Sequence, residues 1–186
     1  MSPSFSKFLA GLATKERPTS IKLISLIAGS VVFLAILPAC LLIFARILAP
    51  YRPSVSPRVI EIILATASIA GGLLLIAWAA FAQWTIGHGT PAQTAPTQTL
   101  VTTGPYALCR NPIELGAVIY YFGTGTLFGS LFHGMVCCLL GLLVGSAYHS
   151  KIEEQELERR FGVAYVAYRQ RTPFLIPRFW PSHKKR

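Results

Sequence analysis

The sequence predicts an all-α, polytopic membrane protein with about four transmembrane helices and a C-terminal amphipathic helix. Hydrophobic residues make up 53% of the 186 and charged residues only 13%, about half the usual charged share of a soluble domain. A water-soluble chain of this size has too high a surface-to-volume ratio to hide so much apolar side chain. The apolar residues also fall in runs long enough to cross lipid, separated by polar segments.

Residues 1–20 are polar and basic, with Lys7, Lys15 and Arg17. The first apolar run, Leu23 to Ala45, is too long for the apolar region of a signal peptide and no cleavage site follows it. At about 1.5 Å per residue it crosses a hydrocarbon core of about 30 Å. Pro38 inside it predicts a kink, which membrane helices tolerate. Arg46, Arg52 and Arg58, with Pro50, Pro53 and Pro57, then mark an extended, exposed connection.

The second run, Ile62 to Ile86, is again long enough to span, with Trp78 and Trp84 towards its interfacial end. Composition breaks after it. Gly87 to Thr103 is rich in Gly, Thr, Gln and Pro and holds no Lys, Arg or Glu. Such a segment cannot cross lipid, because its backbone groups would go unpaired. Apolar sequence resumes at Ile113 and runs to about Tyr148, interrupted by Gly129, Ser130, His133 and Gly134. Two helices joined by a tight turn near 129–134 account for this, with Gly123, Gly125, Gly141 and Gly145 allowing close approach. From Lys151 the chain is charged and then Pro-punctuated. Leu157, Phe161, Tyr165 and Tyr168 make one face of an expected amphipathic helix, followed by Pro173, Pro177 and Pro181.

Four spans put both termini on one side. Lys7, Lys15, Arg17, Lys22, Arg110 and nine Lys/Arg after residue 150 fall there, against Arg46, Arg52 and Arg58 opposite. Fourteen against three orients the termini, the 87–111 segment and the charged tail towards the cytoplasm. The net charge of +10 fits this arrangement and contact with anionic lipid. No aromatic-interleaved basic groove or zinc spacing points to nucleic acid. Of Cys40, Cys109, Cys137 and Cys138, none forms a CxxC, so neither a disulfide framework nor a metal site is indicated.

Two places carry candidate chemistry. His149, Lys151, Glu153 and Glu154 directly follow a span, where ionisable groups mark a ligand site unless they only serve an interfacial helix. In the loop before the hairpin, Gly104-Pro105 forces a turn and Pro112 suits a first helical turn. Asn111 is then expected as the N-cap, its side-chain oxygen taking a free backbone N–H. Glu114, in the first turn of a membrane helix, needs a partner: Arg110, the helix dipole or a cationic ligand.

These residues resemble the isoprenylcysteine carboxyl methyltransferase and phospholipid methyltransferase superfamily of integral-membrane enzymes. The resemblance covers about residues 97–177. It rests on Gln98-Thr99-Leu100-Val101 with Gly104-Pro105-Tyr106 and Arg110-Asn111-Pro112, then Glu153-Glu154-x-x-Leu157-x-x-x-Phe161-Gly162-x-x-Tyr165-x-x-Tyr168, ending at Pro177. It implies methyl transfer from S-adenosyl-L-methionine to a lipophilic or lipidated acceptor: a prenylcysteine carboxylate, a phospholipid amine or a thiol. It implies cofactor contacts from Gln98, Thr99, Leu100, Val101, Tyr106, Asn111, Pro112, Ile113, Glu114 and Glu153. On this reading Glu153 meets the cofactor's ammonium, N–H groups near Asn111 meet its carboxylate, and Tyr106 and Leu100 pack on the adenine. His149 and Arg110 are the candidate catalytic residues.

The chain departs from the family's pattern at two points. It reads Arg110-Asn111-Pro112-Ile113-Glu114 where the family usually has Arg-His-Pro-x-Tyr, and His149 stands where a substrate-side Arg is expected. A histidine there could act as a base, which arginine could not, or could simply end the span. The chain then divides into 1–86, an N-terminal tail with two transmembrane helices, and 87–186, a catalytic part. The implied setting is a multi-pass protein of the bacterial inner membrane or endoplasmic reticulum. Two competing classes are an NADPH-dependent membrane reductase of the sterol-reductase type and a non-catalytic membrane scaffold. The reductase needs clustered basic residues for phosphate, and Gly87 to Leu108 has none.

Overall fold

The computed structural model describes residues 18–51, 56–92 and 94–177. The basic stretch with Lys7, Lys15 and Arg17, the Arg52–Pro53 part of the connection, and Pro181 lie outside the described residues. The helices are α1 (Thr19–Leu48), α2 (Arg58–Thr85), α3 (Pro105–Leu108), α4 (Pro112–Phe128), α5 (Leu131–Phe161) and α6 (Val163–Arg171), and no strand occurs among the described residues. Three of them, α1, α2 and α5, are long and apolar enough to cross a membrane. Their outward faces, with Ile24, Ile47, Leu74 and Phe81 exposed, are what a lipid-embedded bundle requires. The chain is an integral membrane protein.

At 17 residues α4 is shorter, about 25 Å, and it packs along α2 and against α5. Arg58 at the start of α2 donates to the carbonyls of Thr126 and Leu127 at the end of α4. At the opposite end, Val101, Tyr106 and Ile113 pack on Ala79 and Ala82 of α2. The two helices are therefore antiparallel, and α4 connects the two polar ends of the bundle. Their crossing depends on glycine. A Cβ on Gly72 would lie 2.6 Å from Gly116 O, and one on Gly116 would lie 2.8 Å from Gly72 O, so only bare backbones approach this closely. The hairpin turn falls at Gly129 and Ser130, within the expected 129–134.

Pro38 acts on α1 through a widened turn rather than a sharp break. Over Val32–Ile36 the helix is π-helical, and the Leu37 N–H reaches Val32 O. Proline has no N–H for Leu34 O, and the shifted Leu37 N–H no longer serves Phe33 O. Two hydroxyls from α4 replace them. Tyr120 Oη donates to Leu34 O at 2.7 Å and Tyr121 Oη to Phe33 O at 3.1 Å. Tyr120→Phe and Tyr121→Phe should each lower unfolding stability in detergent by about 0.6 kcal/mol and at most about 1.7, the measured range for interhelical hydrogen bonds in membranes. Equal denaturation midpoints for wild type and the double variant would show that the hydroxyls carry no stability.

The tail differs from the single amphipathic helix expected. The last span continues without interruption into the charged segment, through a second π-helical turn at His149–Glu153. The helix then breaks at Gly162, whose φ of 54° is open to glycine and strained for other residues. The predicted face is divided: Leu157 and Phe161 lie before the break, while Tyr165 and Tyr168 lie on α6, where both are buried.

Candidate functional site

The loop between α2 and α3 is closed by its own polar groups. Thr90 N–H donates to Ala95 O at 2.8 Å and Gln98 N–H to Gly87 O at 2.6 Å. The Gln98 amide donates to Pro96 O at 3.1 Å and the Thr99 hydroxyl to Ile86 O at 2.5 Å. These two predicted cofactor residues thus brace the loop. Leu100 is half-buried, whereas Val101 and Tyr106 are buried in the small core on α2 and Pro112 is fully buried.

The tail is tied back over this loop at several points. Arg110 is engaged three times. Its backbone N–H donates to Pro173 O at 2.9 Å, its Nη1 to Arg169 O at 2.9 Å, and its Nη2 pairs with Glu154 Oε1 at 2.8 Å. Tyr168 Oη donates to Tyr106 O at 2.7 Å, and Arg160 reaches Thr97 O. Asn111 occupies the cap position of α4 but makes no capping bond; its amide donates to Phe174 O at 3.1 Å. The expected N-cap is therefore replaced by a bond to the tail, which holds the chain that covers the helix start.

Glu114, His149 and Glu153 converge. The Glu114 carboxylate is buried on the first turn of α4, and a Cβ on Gly145 would overlap it, so glycine on α5 makes its space. Its partner is not Arg110 but His149, whose Nε2 lies 3.4 Å from Glu114 Oε2. On the other side of the ring, Nδ1 pairs with Glu153 Oε2. The ring bridges a carboxylate from each helix. Only the doubly protonated imidazole can donate from both nitrogens, and carboxylates on both sides favour that charged form. Two carboxylates and one imidazolium leave one negative charge in excess.

Several polar atoms here lack a partner. Glu114 Oε1 and Tyr106 Oη are buried without hydrogen bonds, as is Gln83 Oε1. Gln83 faces the Tyr106 hydroxyl without completing a bond to it. Burial pushes the Tyr106 phenol well above its ordinary pKa, and the Glu153 charge adds to the rise. The phenol therefore stays a neutral donor beside the carboxylates. Glu153 is about a third exposed, so the cluster opens outward. A buried orphaned carboxylate oxygen, an idle phenol and one excess negative charge suit a cationic ligand with polar edges. S-adenosyl-L-methionine, with its sulfonium and ammonium, fits that donor set.

Sequence reasoning named Glu114, His149, Glu153 and Tyr106, which the structure brings together, but missed Gln83. A lone amide in the apolar run Phe81-Ala82-Gln83-Trp84 was the available signal for Gln83. Gly145 was expected to allow close helix approach, but that it makes room for the Glu114 carboxylate depends on the facing helix.

The bundle and site define a helical membrane protein with an acidic side-chain cluster at one end of its spans. The chain belongs to the phospholipid methyltransferase family, whose model matches residues 60–164, 105 of the 186. Among known relatives, it is 30% identical over 118 residues to a protein-S-isoprenylcysteine O-methyltransferase from Rattus norvegicus, covering 58% of this chain and 40% of that protein. It is 32% identical over 92 residues to the protein of the same name from Mus musculus, covering 48% and 31%. It is 35% identical over 82 residues to the cobalt-zinc-cadmium resistance protein CzcN of Cupriavidus metallidurans, covering 43% and 36%. The chain thus spans less than half the length of each of these relatives. No solved structure matches it.

Proposed function

We propose that this protein transfers the methyl group of S-adenosyl-L-methionine to a lipophilic acceptor at the cytoplasmic face of a membrane. The observation that carries the reading is the buried, half-unpartnered Glu114 carboxylate, bridged through His149 to Glu153 at the end of a span. Glu114 and Glu153 hold the cationic part of the cofactor, and Tyr106 donates its phenol hydrogen. When bound, the cofactor supplies an activated sulfonium methyl, so the protein's task is alignment rather than proton abstraction. His149 acts as a positioning residue that holds the two carboxylates apart at a fixed spacing. Arg110 is likewise a positioning residue, because its Nη1 and Nη2 both hold the tail, while its Nε is buried without a hydrogen bond. Residues 87–186 form the catalytic part, and the acceptor enters from the bilayer between helices. The loop from Gly87 to Leu108 holds no Lys or Arg to meet the phosphates of NADPH. The names of the rodent relatives make a prenylated cysteine carboxylate the first acceptor to try.

Calorimetric titration of the purified chain in detergent should give saturable binding of S-adenosylhomocysteine. Incubation with methyl-labelled cofactor and a prenylated cysteine should move label into the organic phase. No binding of either S-adenosyl compound would sink the reading.

The charge bias of the sequence supports cytoplasmic exposure of this end. In intact cells, an impermeant thiol reagent should label a cysteine placed at Tyr51, which is 84% exposed, and should spare one at Thr102. Labelling of both from the same side would contradict the orientation.

A further inference from the structure

The end of the bundle opposite the acidic cluster holds a second polar constellation. The 28 residues of α2 set the two ends about 40 Å apart. Here a cavity of about 160 Å³ is lined by Arg46, Pro50, Arg58, Phe128, Gly129 and His133. Arg58 is balanced by Glu61, 3.1 Å away and buried, whose other oxygen accepts from the Leu131 N–H at 3.1 Å. Arg46 has no carboxylate partner among the described residues; its Nη2 donates to Phe128 O at 2.7 Å. His133 is fixed on both sides, with Nε2 3.1 Å from Ala49 O and Nδ1 2.9 Å from Ser130 Oγ. Among the described residues lining the cavity, Arg46 is the guanidinium with no carboxylate opposite it.

Capping the carbonyls at the end of α4 accounts for part of this. Among the described residues the guanidinium makes a single bond, which leaves most of the five donors of Arg46 without a partner there. Arginine on this side also runs against the charge bias of the chain, and two of the three such residues line one cavity. We propose that this cavity binds a phosphate oxyanion, either the phosphodiester of a lipid headgroup or inorganic phosphate, with Arg46 as its principal ligand and Arg58 as its second. Its distance from the acidic cluster separates it from the proposed methyl transfer.

The test uses the full chain in detergent, titrated with phosphatidylglycerol, with diacylglycerol and with inorganic phosphate. Binding is read by native mass spectrometry and thermal shift. Phosphatidylglycerol should bind with one site, diacylglycerol should not, and Arg46→Gln should weaken binding roughly tenfold or more. Arg46→Lys should fall between, keeping the charge without the paired donors. Competition by millimolar phosphate would assign a site for oxyanions from solution as well, and its absence a headgroup site. S-adenosylhomocysteine affinity in Arg46→Gln should match wild type, showing that the variant is folded. Equal binding of diacylglycerol, binding unchanged in Arg46→Gln, or no binding of either phosphate compound would overturn the proposal.

Discussion

Glu114→Gln should bind S-adenosylhomocysteine at least tenfold more weakly than wild type, and Glu153→Gln should behave alike. Each substitution keeps side-chain size and removes one carboxylate charge from the cluster that carries the excess. A hydrogen bond to a charged group contributes about 1.5–3 kcal/mol, which sets the roughly tenfold floor. His149→Gln acts in the opposite sense: it leaves two carboxylates facing each other without the imidazolium. Its apo form should melt at lower temperature, while added cofactor, bringing positive charge, should recover more stability than it does in wild type. Because both nitrogens of the ring are committed to carboxylates, wild-type turnover should lack an inflection near the ordinary histidine pKa of about 6.5. A rate that rises through that range, with the rise lost in His149→Gln, would make the imidazole a free base and refute the bridging role.

The spans were legible because each depends on local pattern. The apolar runs from Leu23 and Ile62 correspond to α1 and α2, and the polar interruption at Gly129 and Ser130 marks the hairpin turn. The carboxylates of the site were legible too, since Glu114 and Glu153 stand where an ion needs a reason. Their mutual partner was not. His149 is 35 residues from Glu114, and only the packing of α4 on α5 brings them together. The same limit applies to Tyr120 and Tyr121, whose hydroxyls answer a defect made by Pro38 more than 80 residues earlier. The break at Gly162 was hidden by periodicity. Spacings of three and four run straight through it, and a single glycine is compatible with a helix at about 1 kcal/mol. At Asn111 local chemistry predicted a cap, but the returning tail offered Phe174 O to the same side chain.

That returning tail is where a single substitution should do most damage. Arg110 and Glu154 form a pair with side chains only 12% and 14% exposed, and the guanidinium also holds Arg169 O. Arg110→Met removes the charge but keeps much of the apolar stem, leaving Glu154 largely buried without its counter-ion. Breaking a buried pair from one side costs about 3–5 kcal/mol, and the residual exposure places this one near the lower figure. The loss should be local before it is global. Limited proteolysis should cut after residue 162 in the variant at protease levels that spare wild type, because α6 and the Pro173–Phe174 segment are anchored through this residue and its neighbour. Cofactor affinity should fall with the tail, since Glu153 adjoins Glu154 on the same turn. The double variant Arg110→Met/Glu154→Leu discriminates between a mechanical latch and a direct role in binding. Replacing both partners of a buried pair by apolar groups is often neutral, so the double variant should recover protease resistance and most of the cofactor affinity. A double variant that is protease-resistant yet still fails to bind cofactor would mean that Arg110 touches the ligand itself.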